Sequence, residues 1–164
     1  MNKFSNLKIN EQEITLAGKE DKKEDIKTDV ENRSESGDVS TPIKFFSKLF
    51  EARQMAHIFH LQVKGEMGSG WEHTALNTFY DQILELTDEI IEVYQGQFGV
   101  IEGYEIVSSS NSGKKSLDYL NEFVKYIKDE RYKCIKEEET HLHNIIDEVI
   151  ALCYKTIYKL TNLK

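Results

Sequence analysis

The chain has little that would staple it or anchor it. Its 164 residues include two cysteines, Cys134 and Cys153. Without a CxxC pair they suggest neither a disulfide framework nor a thiolate zinc site, and both read as small apolar residues. No apolar run approaches the ~20 residues that a bilayer-spanning helix needs, and the charged N-terminus lacks the apolar core of a signal peptide. A cytoplasmic protein with no membrane partner is expected. Positive charge is also in deficit, with 21 Lys and Arg against 29 Asp and Glu and a formal net charge of −8. Such a chain repels nucleic acid unless a basic patch is segregated, whereas an acidic surface concentrates cations. Metal ions are therefore favoured over DNA as partners.

Proline occurs once, at Pro42, and it marks where order is expected to begin. Residues 1–41 are rich in Lys, Glu, Asp, Ser and Asn without a sustained apolar period, which is the composition of a disordered tail. Seven basic residues stand there against ten acidic ones with the signs interleaved, so this is no basic arm. Residues 42–164 suffice for one core and read as all-α. Thr41 can cap a helix that starts on Pro42. That first helix, about 42–64, carries Phe46, Leu49, Phe50, Met55, Ala56, Phe59 and Val63 at spacings of three and four, and stops at the glycine-rich stretch 65–70. A second helix runs over about 71–95, with Gly96 as its cap. A third covers about 116–137 and a fourth about 140–161, the latter preceded by Glu137, Glu138 and Glu139, which suit a positive helix start. Residues 97–115 read as a long crossover with a short extended piece at Val100–Val107. Two helical hairpins joined this way make a ferritin-like four-helix bundle with one crossover between its second and third helices.

Four side chains carry the expected chemistry: His60, His73, Asp88 and Glu92. The two histidines flank the short glycine-rich turn and can approach each other. Asp88 and Glu92 are four apart and share one helix face, as two carboxylates must to hold one cation. His73 and Asp88, however, are fifteen residues apart on one helix, about 22 Å at 1.5 Å per residue. If the four form one site, the histidines of one subunit must meet the carboxylates of another. A two-fold axis that runs the second helix antiparallel to its copy does this and makes two equivalent sites per dimer. Mixed imidazole and carboxylate ligation with open positions suits iron or another first-row metal.

The segment His60-Leu61-Gln62-Val63-Lys64-Gly65 resembles the HW-x-V-K-G segment of Dps proteins, the mini-ferritins named for DNA binding in starved cells. His73 is similar to that family's second histidine, and Asp88-Glu89-Ile90-Ile91-Glu92 to its D-x-x-x-E pair. The resemblance covers residues 45–96 closely and the rest by pattern and length. It implies an intersubunit ferroxidase centre at His60, His73, Asp88 and Glu92, with iron(II) oxidised by hydrogen peroxide or oxygen and stored as mineral. It also implies a homo-oligomeric hollow shell, a dodecamer built from two-fold dimers, and a role against oxidative stress. The chain departs from the family in several places. Leu61 stands where the family has a tryptophan, the turn between the histidines is about one residue longer, and 97–115 shows no short helix. The tail lacks the basic excess of the DNA-binding members, so DNA binding is not expected.

Other candidates have plainer readings. His57, one turn before His60, reads as a surface or core histidine or an outer-shell partner. His141 and His143 read as exposed residues at a helix start. Tyr119, Tyr126, Tyr154 and Tyr158 read as core residues rather than electron donors. Asp129, Glu130 and Asp147 suit either a solvated surface or a cation pore. Two alternatives to the ferroxidase stand beside it. A di-iron centre inside each bundle needs Glu-x-x-His on two helices, and the single such spacing is Glu138 to His141. A non-catalytic ferritin-like structural or interaction protein, of bacterial or viral origin, would use the tail or crossover for contacts.

Overall fold

Thr41 and Pro42 start the first helix as their chemistry dictates. The Thr41 hydroxyl accepts from the Lys44 backbone N–H at 3.3 Å, and Pro42 occupies the first helical position, where its missing N–H is no loss. The structure, a computed structural model, describes residues 41–64, 69–105 and 113–163, all within the unit Asp38–Lys164. The expected disordered tail lies outside the described residues. Four helices follow in order: α1 (Pro42–Gln62), α2 (Ser69–Phe98), α3 (Ser116–Cys134) and α4 (Thr140–Asn162). The described residues contain no strand, and none of their helices is long and apolar enough to cross a membrane.

α1 packs on α2 and α3, and α4 packs on the same two helices, so α1–α4 and α2–α3 are the diagonals of the bundle. Contacts at the helix ends set the directions. Ser116, at the start of α3, donates to Glu72, near the start of α2, at 2.7 Å. Gln97, near the end of α2, donates to Glu139 at 2.8 Å and meets His141 at 2.9 Å, both at the start of α4. α2 and α3 therefore run the same way, and residues 99–115 connect opposite ends of the bundle.

The core between the four helices is apolar and aromatic. Phe45, Phe46, Phe79, Phe123, Leu76, Ile83, Ile90, Ile127 and Ile146 are all fully buried, and each side chain of this size contributes about 1.5–3 kcal/mol by leaving water. Cys134 and Cys153 join it as small apolar residues; burial pushes the Cys153 thiol up to about 12, so it is no nucleophile. Buried hydroxyls turn back on their own helices, Thr87 onto the Ile83 carbonyl at 2.6 Å and Thr156 onto Leu152 at 3.0 Å.

Several local expectations are corrected. α2 continues through Gly96 to Phe98, because Gly99, at φ +93, supplies the left-handed cap and donates to the Gln95 carbonyl at 2.9 Å. Residues 100–105 form no strand and are held by Ile101 N–H on the Gln95 side chain at 3.0 Å and Glu105 N–H on the Ser47 hydroxyl at 3.0 Å; 106 and 107 lie outside the described residues. α3 ends at Cys134, with Ile135 already extended. Tyr119 is buried and Tyr126 half-buried, but Tyr154 and Tyr158 are exposed rather than core.

Candidate metal-binding site

The α1–α2 hairpin brings two of the four expected residues together and holds the other two away from them. His60, in the last turn of α1, and His73, in the first turns of α2, stack with ring centroids 3.6 Å apart and planes 27° apart. Each ring bonds the other residue's backbone: His60 Nδ1 meets the His73 carbonyl at 2.9 Å, and His73 Nδ1 meets the His60 carbonyl at 3.2 Å. A carbonyl only accepts, so both Nδ1 atoms carry the proton and donate. The His60 carbonyl lies among the last four of α1, which lack helical partners, and the His73 ring caps it. In this tautomer both Nε2 atoms keep an available lone pair. Fixing a ring through Nδ1–H on a backbone carbonyl is how proteins commonly orient a histidine that ligates a metal through Nε2.

Sequence reasoning singled out His57 beside the pair and missed the rest of its surroundings. His57 lies against Tyr80, centroids 4.6 Å apart, and 6.1 Å from His60. Tyr80 meets the His60 ring edge-on at 5.3 Å and donates its hydroxyl to Asn77 at 2.8 Å. Asn77 in turn donates to Asp81 at 2.9 Å, while Arg53 sits 5.8 Å over the Tyr80 ring. The signal was available as two matched spacings, 53-57-60 on α1 and 73-77-80 on α2, each placing three side chains on one helix face.

Asp88 and Glu92 are exposed on α2 and make no hydrogen bond or ion pair with a described residue. Because α2 is one unbroken helix from Ser69 to Phe98, they stand about 22 Å and more from His73. Accordingly, the described residues of one chain hold no group of three or more His, Cys, Asp or Glu side chains arranged around a cation.

The remaining candidates have structural partners. His143 is buried, contrary to the exposed placement expected. Its Nδ1 accepts from Arg131 Nε at 3.2 Å and its Nε2–H donates to the Lys136 carbonyl at 3.0 Å, which leaves no nitrogen for a metal. Arg131 also reaches Asp147 at 2.5 Å, so these residues close the α3–α4 turn. Glu130 pairs with Lys133 at 2.8 Å, and Asp129 with Lys125. His141 is exposed and meets Gln97. A cavity of about 240 Å³ between α1 and α3 is lined by Lys48, Glu51, Lys114, Tyr119 and Glu122. Its carboxylates are held by lysines, Lys48 on Glu51 at 2.6 Å and Lys114 on Glu122 at 2.5 Å. Burial, and then the neighbouring Glu51, hold the Tyr119 phenol well above its ordinary value.

No curated protein and no solved structure matches the chain. A family model does, over residues 69–160, a stretch that includes His73, Asp88 and Glu92 and begins after His60. The chain belongs to the family of unknown function DUF5856.

Proposed function

We propose that this protein is a Dps-type mini-ferritin: an iron(II) oxidase and iron store whose sites form between subunits of a hollow homo-oligomeric shell, a dodecamer built from two-fold dimers. The observation that carries the reading is the reciprocal His60–His73 pair, two imidazoles with Nδ1–H fixed on backbone carbonyls and Nε2 available. Nothing in the packing of a helical hairpin requires both partners of that clasp to be imidazoles. Two neutral nitrogen ligands at one end of α2 and two carboxylates nearer the other make half of two sites, and a two-fold partner completes both. The parallel α2 and α3, joined by a connection between opposite ends, support the ferritin-like form of the bundle.

At such a site His60 and His73 of one chain and Asp88 and Glu92 of the next would hold the iron substrate. The nitrogen donors favour a first-row transition metal, and the carboxylates stabilise the added charge of iron(III). Peroxide is the oxidant that the resemblance favours, and it takes two electrons, one from each of two iron(II) ions. Affinity for DNA is not part of the proposal, since a net charge of −8 opposes the phosphate neutralisation on which such affinity rests.

The test is anaerobic addition of iron(II) followed by peroxide. Oxidation faster than in protein-free buffer, with iron retained on the protein through gel filtration, is the expected outcome. A rate equal to buffer, or iron lost to the small-molecule fractions, refutes the reading.

A further inference from the structure

Arg53 is poorly served within its own chain. Its Nε is buried without a hydrogen-bond partner among the described residues, and its guanidinium makes no ion pair with them, lying instead over the Tyr80 ring. A carboxylate from outside cannot reach that buried atom, but the terminal guanidinium nitrogens are not among the buried ones and are open to it. We propose that Arg53 is the pairing residue of a two-fold contact with a second copy of this chain, its guanidinium meeting Asp81 of that copy. The proposal rests on the shared-site reading for the position of the axis. Midway between His73 and Asp88 on α2 lie Tyr80 and Asp81, so an axis that joins those two ligands passes beside the ring on which Arg53 sits.

Charge requires a cation there. α2 carries Glu72, Asp81, Glu85, Asp88, Glu89 and Glu92 and no Lys or Arg, so laying α2 against its own copy sets carboxylates against carboxylates. Metal at the two sites neutralises the flanks, and Arg53, which lies over the Tyr80 ring, is placed to neutralise the middle. Asp81 is exposed and oriented by Asn77, and a guanidinium fork suits it. The same hairpin also exposes apolar surface at Phe50 and Leu84, 38% and 37%, and at Leu61 and Trp71, 69% and 55%. Phe50 and Leu84 stand at spacings that predict core residues, so a second copy covers what one bundle leaves open.

The experiment is sedimentation of the full chain with anaerobic iron(II) binding, on wild type, Arg53→Asp, Asp81→Arg, the double swap, and Asp88→Ala. Arg53→Met serves as a second disruption that introduces no new charge, and circular dichroism reports that each variant is helical. Wild type is expected to assemble. Each single charge reversal and Arg53→Met should weaken the two-fold contact by about tenfold or more, the double swap should restore it, and iron binding should follow assembly. Single variants that assemble like wild type, or a double swap that stays dissociated, overturn the role of Arg53. If Asp88→Ala in that case still assembles and loses iron, the site reading survives alone. A wild-type monomer that binds no iron overturns both.

Discussion

Asp88→Ala is expected to slow peroxide-driven oxidation of iron(II) by about a hundredfold or more, since outer-shell partners of a metal alone are worth about 10–100-fold. The same change should leave thermal unfolding where it is. Asp88 is exposed and bonded to no described residue, and surface substitutions of that kind stay within about 0.5 kcal/mol. The separation matters, because His60 is 8% exposed and clasps α2, so its removal would lower activity through stability as well as ligation. Asp88→Asn is the sharper control: it keeps the shape, loses the charge, and should be nearly as inactive. Stopped-flow absorbance beside a thermal scan reads both quantities. An unchanged rate for Asp88→Ala would remove the carboxylate half of the site.

Phe79→Ala is expected to cost about 3–5 kcal/mol, the range for emptying a fully packed aromatic position. Phe79 is 0% exposed and lies on α2 between His73 and Asp88, in the helix that fixes the spacing of both half-sites. Against a total stability of about 5–15 kcal/mol for a domain this size, the loss lowers the urea midpoint by about a fifth or more. It should leave the slope nearly unchanged, because the surface exposed on unfolding is nearly the same. A cost under about 1 kcal/mol would mean that the core does not close around this ring.

Local chemistry made the helices legible and left the pairings between them hidden. Thr41 and Pro42 act within one turn, so α1 begins where the residues say it should. Gly96 and Gly99 are equally able to end α2. The choice falls on Gly99 because Phe98 packs on Tyr94, centroids 4.6 Å apart, and holds the helix together past Gly96. Periodicity finds the centre of an apolar stripe and not its edges, which is why Phe50 and Leu84 fit the pattern and yet emerge at the surface. His143 shows the limit most clearly. Its burial depends on Arg131, twelve residues earlier across a turn, and no helical spacing carries that pairing. For the site, the types and order of His60, His73, Asp88 and Glu92 were readable, and so was the distance that divides them. The clasp of each imidazole on the other's carbonyl was not, since it is made by the geometry of the hairpin.

The shared site is tested most directly by mixing two dead chains. One carries His60→Ala and His73→Ala, the other Asp88→Ala and Glu92→Ala, and each alone should fail to oxidise iron(II) above background. Unfolded together and refolded, they should form mixed dimers in which one of the two sites has all four ligands, two from each chain. Random pairing then returns about a quarter of wild-type activity. No recovery in mixtures shown by mass to contain mixed dimers would contradict a site built from two subunits. So would full activity in either chain alone.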